Sequence, residues 1–321
     1  YTLLESALIQ PTIIYANTVK NAQAYYQFIR NYTDDVVLYH SRFTEPDKAK
    51  KEEKILSMLG KNAWETGKAH GIVILTQIGE ISVNISAHVM ITEICPIDRL
   101  IQRIGRLDRF DTGEGILHII EPLQNDCTLY PAPYGSWSKN TSWETSPYLV
   151  STLQLLKEKK YSKSSLLNLV NEVYRTTPTV NRNSKDNVRK LEKLIRYNWL
   201  ILPASSQQKN TPDDDNEANG WKCRDIDQQA IIYFDENVGF LSDESSYYFK
   251  NWGERREFDI TNGINISLRE FHKILRTKPE CIERRKYAIS FDDEEELWVI
   301  GKQYYQSEGL GLYFDGIPFE E

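Results

Sequence analysis

Short, uninterrupted apolar runs alternate with helically spaced segments over the first 120 residues. Thr12–Ala16 (TIIYA), Val36–Tyr39, Ile72–Thr76 (IVILT), Val89–Thr92 and Ile116–Ile120 each read as a buried strand. Val19, Ala22, Tyr26 and Ile29 share one face of a helix, with Asn17 or Thr18 as its N-cap. Thr44-Glu45-Pro46-Asp47 is a helix start, Pro46 in the first turn and Asp47 closing a box-like cap, and a charged helix follows to about Leu59. Pro96 and Asp98 open a further helix. Strands with no polar alternation are buried on both faces, so the pattern predicts an α/β fold with a parallel sheet and helices on both sides.

The pattern breaks after Leu129. Prolines, serines, Trp137 and Trp143 predict an irregular connector up to Pro147. Tyr148–Lys157, Ser164–Arg175 and Val188–Leu202 read as helices, and Ser205–Gly220 (SSQQKNTPDDDNEANG) as a mobile polar loop. Strand-like runs then follow at Cys223–Phe234, Tyr287–Phe291, Leu297–Ile300 and Gly311–Phe314, with a helix near Leu268–Leu275. The expected domains are 1–128 (the α/β lobe), 129–204 (an irregular and helical connector) and 205–321 (a small β-rich C-terminal domain).

Composition narrows the class without deciding the activity. The 321 residues are 40% hydrophobic, and no apolar run nears the ~20 residues of a membrane span. The net charge of −7 neither supports nor excludes nucleic acid, because a basic channel needs no basic total. Cys95, Cys127, Cys223 and Cys281 contain no C-x-x-C pair, which suits a reducing cytoplasm. The five histidines show no ligand spacing, so no metal site is expected, and His88 and His118 read as core residues. The first residue is Tyr1, and the chain is expected to be a piece of a longer protein.

Residues 102–109, Gln-Arg-Ile-Gly-Arg-Leu-Asp-Arg, carry the most chemistry. Arg106 and Arg109 are three apart, so on a helix they would project from one face and grip phosphate oxygens bidentately. Gly105 would leave room for close approach. His40-Ser41-Arg42-Phe43 follows the second strand, at the edge of a parallel sheet where ligands bind. A hydroxyl and a cation there could meet backbone phosphates.

The run Q-R-x-G-R-x-x-R resembles motif VI of superfamily 2 helicases. Thr76-Gln-Ile-Gly-Glu-Ile-Ser-Val-Asn-Ile85 resembles motif V, and the opening strand and helix motif IV. Closest is the helicase of type I CRISPR interference, the motor recruited by Cascade. The pieces are LYHSRF, TQIGEIS-x-N-I and TEICPIDRLIQRIGRLDR; Tyr305-x-x-x-Gly309-Leu310 and Arg224-Asp225-Ile226 are similar to its C-terminal domain. The resemblance implies a second RecA-like lobe. Arg106 and Arg109 would be arginine fingers beside Gln102, with Asn84, Gly79 and Arg103 near the nucleotide. His40, Ser41, Arg42, Thr76 and Gln77 would lie along single-stranded DNA. Arg103 would couple the cleft to the DNA rather than touch the γ-phosphate. The family has Asp where Asn84 stands, which puts the ribose contact in doubt and suggests an unusual subtype; the overall resemblance is to type I-D, whose nuclease sits on another subunit.

No G-x-x-x-x-G-K-[ST] loop, Asp-Glu-x-His box or His-Asp dipeptide occurs. ATP and Mg²⁺ would therefore be bound mainly by a first helicase lobe, and this chain alone should be inactive. The implied partners are that lobe, a nuclease domain or subunit, single-stranded DNA and a Cascade-type RNA-guided complex, with no membrane. Two alternatives remain: a non-catalytic module that docks on such a complex or binds DNA passively, and an RNA helicase of the DEAH type.

Overall fold

The computed structural model describes residues 7–80, 83–110, 113–124, 128–137, 143–175, 182–196, 229–235, 247–289 and 295–314. Tyr1–Val173 and Gln229–Glu321 form one compact unit, and Tyr174–Gln228 a second.

Five parallel strands make the first sheet: β1 (Thr12–Tyr15), β2 (Val36–Tyr39), β3 (Ile72–Leu75), β4 (Val89–Glu93) and β5 (Ile116–Ile120), in the order β2-β3-β1-β4-β5. Between them run α1 (Val19–Ile29), α2 (Glu45–Leu59), α3 (Lys61–Glu65) and α4 (Ile97–Ile104). Alternate strand residues feed two cores. Ile13, Tyr15, Val37 and Val73 pack with Ile55, Met58 and Leu59 of α2. Ile14, Leu38, Ile74 and Ile91 pack with Ala22 and Ile29 of α1. The Thr18 hydroxyl caps α1 through the Asn21 amide at 3.2 Å. At the start of α2 the Thr44 hydroxyl donates to Asp47 Oδ2 at 3.1 Å.

The connector holds a small hairpin, β6 (Gly135–Trp137) and β7 (Trp143–Thr145), where an irregular run was expected; Trp137 and Trp143 oppose each other in its register. α5 (Pro147–Leu155) and α6 (Lys163–Val173) follow. The Thr152 hydroxyl of α5 accepts the Ile97 amide at 3.1 Å, which ties the connector to the first turn of α4. In the second unit, α7 spans Arg182–Arg196, six residues earlier than the sequence pattern places it. Ser205–Gly220 and Arg224–Ile226 lie outside the described residues. No helix among the described residues is long and apolar enough to cross a membrane.

The C-terminal part is a mixed five-stranded sheet of β8 (Gln229–Phe234), β9 (Tyr247–Phe249), β10 (Gly263–Ser267), β11 (Glu283–Ile289) and β12 (Glu295–Ile300), ordered β10-β8-β12-β11-β9. α8 (Trp252–Asn262), α9 (Leu268–Thr277) and the ribbon β13 (Tyr305–Gln306)–β14 (Gly311–Leu312) complete it.

This part is knitted into the first lobe through the segment expected to face DNA. Phe43, fully buried, belongs to the C-terminal core with Ile232, Ile264, Phe271, Ile274 and Phe314. Arg42 pairs with Glu270 at 2.7 Å, the side chains 4% and 9% exposed. The Leu312 amide donates to the Arg42 carbonyl at 2.9 Å. Gly311 permits that approach: its φ is +67°, and a Cβ there would lie 2.5 Å from the Arg42 carbonyl oxygen. His40 and Arg42 therefore depart from the expected solvent-facing loop. Burying Phe43 draws its neighbours inward, and only Ser41 stays exposed.

His40 is held neutral. Its Nε2 lies 3.1 Å from the Leu310 carbonyl and its Nδ1 accepts the Arg42 amide at 3.1 Å, so Nε2 carries the single proton. Burial first, then the nearby Arg42 and Lys51 charges, push its pKa well below the usual value. The unfolded chain binds this proton below about pH 6.5 and the folded chain does not. Stability is thus expected to fall as pH drops below that value, by about 1.4 kcal/mol per pH unit from His40 alone. Urea unfolding at pH 7 to 5 should show this component missing in His40→Gln; identical slopes would remove the assignment.

Candidate functional site at the carboxyl edge of the sheet

The ends of β1, β3 and β4 converge on a buried polar network. Asn17 follows β1, Thr76 and a 3-10 turn (Gln77–Glu80) follow β3, and Glu93 closes β4. Arg103 on α4, fully buried, joins them. Its Nε donates to Glu80 Oε1 at 2.9 Å. Nη1 donates to the Thr92 hydroxyl at 2.8 Å and the Glu93 carbonyl at 3.2 Å. Nη2 donates to Asn17 Oδ1 at 3.0 Å and the Tyr134 hydroxyl at 3.3 Å. A guanidinium has five N–H donors and all five are used here. Arg103 therefore links elements of the lobe and does not reach out to a ligand. Glu93, also fully buried, accepts from the Asn17 amide (2.6 Å), Asn21 Nδ2 (2.7 Å) and the Tyr25 hydroxyl (2.6 Å), fastening α1 to β4.

The sequence pattern missed Glu80, Glu93 and Tyr134. The signal for Glu93 was available: a lone carboxylate inside the apolar run VMITEIC must be paired if the run is buried. Burial pushes the Cys95 thiol beside the network up to about 12, so it is inert.

Arg106 and Arg109 do not share a helix face. α4 ends at Ile104, and Asp108 adopts a left-handed conformation (φ 49°) that redirects the chain between them. The Arg106 side chain is buried: Nη2 donates to the Glu80 carbonyl at 2.5 Å and Nη1 to the Val83 carbonyl, so it staples the loop after β3. Arg109 is exposed, and its amide donates to the Ser86 hydroxyl at 2.8 Å. Asn84 is exposed as well, and the Asp108 amide donates to the Ala87 carbonyl at 2.8 Å, so Arg109 lies beside the segment that enters β4, at that strand's amino end. Gln102 is exposed on α4, within 3.5 Å of Arg99, whose guanidinium is 3.7 Å from Glu80.

The remaining positions are internal. Thr76 is buried. Gln77 donates to the Asn17 carbonyl at 2.6 Å. The Gly79 carbonyl accepts the Tyr15 hydroxyl at 3.2 Å, and a Cβ on Gly79 would lie 2.7 Å from the Leu75 side chain, so close packing explains this glycine. Burial pushes the Tyr15 hydroxyl up to about 12, against the pull of the Arg106 and Arg103 charges. Gly105 has ordinary backbone angles, and a Cβ there would make only ordinary contacts, the nearest with the Gln102 carbonyl oxygen at 3.4 Å, so nothing in its surroundings demands glycine.

Residues 9–112, which hold every one of these groups except Tyr134, match the family model described as CRISPR-associated nuclease/helicase Cas3, C-terminal. This region of the chain is similar to the Cas3 family of superfamily 2 helicases. The CRISPR-associated endonuclease/helicase Cas3 of Escherichia coli (strain K12) is 39% identical over 98 residues, 29% of this chain and 11% of that protein. The CRISPR-associated nuclease/helicase Cas3 of Streptococcus thermophilus is 41% identical over 101 residues, 30% of this chain and 10% of that protein. The chain thus spans about a tenth of the length of the curated Cas3 relatives it matches. The crystal structure of T. fusca Cas3-AMPPNP aligns with a TM-score of 0.55 at 20% identity, over 83% of this chain and 33% of that one. The fold is a RecA-like parallel sheet with flanking helices, a helical connector and a small C-terminal β-rich domain.

Proposed function

We propose that this chain is the second lobe and C-terminal domain of an ATP-dependent DNA helicase of CRISPR interference. The observation that carries this reading is the exposed Arg109, held beside the segment that enters β4, within the region 9–112 that matches the Cas3 C-terminal family model. An arginine presented there, and backed by a satisfied buried network, suits the stabilisation of phosphoryl charge held by another lobe. ATP, when bound, supplies the phosphoryl group whose transfer drives the motor.

The donor set fits the anionic side of such a ligand: Arg109 meets phosphate oxygens, and Gln102 and Asn84, also exposed, offer neutral hydrogen bonds. Among the described residues no group of three His, Cys, Asp or Glu gathers that could hold a metal. The metal's ligands belong with the first lobe in this reading. Arg106 holds the loop after β3, and Arg103 passes changes at that loop to β1, β4 and α1. Thr76 and Gln77 act on DNA through this loop. Ser41, exposed beside the buried His40 and Arg42, is the member of its segment left to meet a backbone phosphate. The partners in this reading are single-stranded DNA, the first helicase lobe, a Cascade-type complex and a nuclease. Asn84, in place of the family's Asp, marks an unusual subtype, and this reading takes it as type I-D.

The test is strand displacement by the full-length protein on tailed DNA and RNA duplexes with ATP. DNA unwinding that depends on ATP is the expected result. DNA binding without any ATP turnover would support the docking module instead, and unwinding confined to RNA would support the DEAH reading.

A further inference from the structure

A cleft of about 400 Å³ opens where β2 begins, between the end of α1, one face of α2 and the turn 306–309. Val36 and Val37 line it, so it lies along β2, the edge strand of the first sheet. Its volume is within the range of small-ligand pockets (roughly 300–1,000 Å³).

Four cations line the cleft: Arg30, Lys50, Lys51 and Lys54. Two of them are answered locally, Arg30 by Asp34 at 2.7 Å and Lys50 by Asp47 at 3.8 Å. Lys51 is 6% exposed. Its Nζ donates to the Glu308 carbonyl at 3.2 Å and sits 4.3 Å over the Phe43 ring. An ammonium has three donors, so one carbonyl and a ring face leave it short of acceptors. Burial pushes Lys51 down to about 8; Glu308 and Asp47 pull it back and Lys54 opposes them. Its charge is thus held in the cleft with too little counter-charge around it.

We propose that this cleft binds a phosphate-bearing small ligand, with Lys51 and Lys54 as the pairing cations and Arg30 at the rim. A phosphate oxygen would complete the Lys51 donors, and a second oxygen would reach toward the exposed Lys54. α2 belongs to the first lobe and the 306–309 turn to the C-terminal part, so the ligand would brace the junction between them. The charged groups facing Lys51 are Asp47, Lys50 and Lys54 from α2, Arg30 and Asp34 from the end of α1, and Glu308 from the turn. Affinity is expected to fall as pH rises above about 8, where Lys51 loses its proton. The site is independent of the ATP-linked reading above.

The probe is inorganic pyrophosphate with the whole 321-residue chain. Amine acylation at pH 8, read by mass spectrometry, should slow at Lys51 and Lys54 when pyrophosphate is added, while exposed Lys20 keeps its rate. Calorimetry should give an affinity about tenfold weaker for Lys54→Gln, the loss expected for one charge-assisted hydrogen bond. Lys54 is exposed, so the unliganded thermal midpoint should not move. Wild-type affinity in both Lys54→Gln and Lys51→Gln would overturn the proposal, as would equal protection by sodium chloride at matched ionic strength. An unphosphorylated single-stranded oligonucleotide should not compete. If it displaces pyrophosphate, the cleft belongs to a nucleic-acid track and the small-ligand assignment fails.

Discussion

Arg109→Ala in the full-length protein is expected to lower DNA-stimulated ATP turnover by about 10³-fold or more, the scale on which arginine fingers act. Its amide is held by Ser86 and the residue is exposed, so removing the guanidinium takes nothing from the buried core. Thermal stability should therefore be unchanged. Arg109→Lys should not restore turnover, because an ammonium cannot grip two oxygens in the same plane. Arg106→Ala should lower turnover as well, but by freeing the Glu80 and Val83 carbonyls it should also lower the thermal midpoint. Single-turnover ATPase beside thermal melting separates the two. Turnover of Arg109→Ala within about threefold of wild type would remove the finger.

Arg103→Ala is expected to destabilise the chain by about 3–5 kcal/mol, because it leaves the Glu80 carboxylate, whose side chain is 1% exposed, with only Arg99 at 3.7 Å, and takes the guanidinium from the Thr92, Asn17 and Tyr134 oxygens. Urea unfolding followed by fluorescence reads this directly. Arg103→Met with Glu80→Leu should recover most of the loss, since a buried ion pair often does no better than well-packed apolar groups. Equal instability of the single and double variants would show that the network acts through Asn17 and Thr92 and not through the ion pair.

The strands and most helices of the first lobe were legible because each buried strand is a bare apolar run, Thr18 caps α1 and Pro46 marks the first turn of α2; the five-residue α3 went unread. β1 to β5 fall within a residue of the sequence pattern. The C-terminal part was less so. α8 (WGERREFDITN) buries only Arg255 and shows little apolar face, although the Asn251 side chain caps the Glu254 amide at 3.0 Å. β9 has only three residues, and β10 (GINIS) alternates buried and exposed positions where the first lobe's strands are bare apolar runs. At the site, the residue types were legible and their directions were not. The spacing of Arg106 and Arg109 implies a shared face only while the helix lasts, and α4 stops at Ile104. Arg42 looked like a surface cation because its partner, Glu270, is supplied by a helix more than two hundred residues away. Local pattern carries no trace of such a pairing.

The crossing of the two cores has a consequence for synthesis. Leu310 sits in the core built on α1, and Gln23 of α1 donates to the Leu310 and Leu312 carbonyls across separations of 287 and 289 residues. At ribosomal speeds of roughly 5–20 residues per second, Gln23 waits about 15–60 s for its acceptors to be made. Contacts of such high order are also slow to close. During that interval the nascent lobe shows an apolar seam around Phe43 and an unanswered arginine. Chains truncated before Tyr305 would keep that seam for life, and they are the species to watch for in chaperone-bound and aggregated fractions.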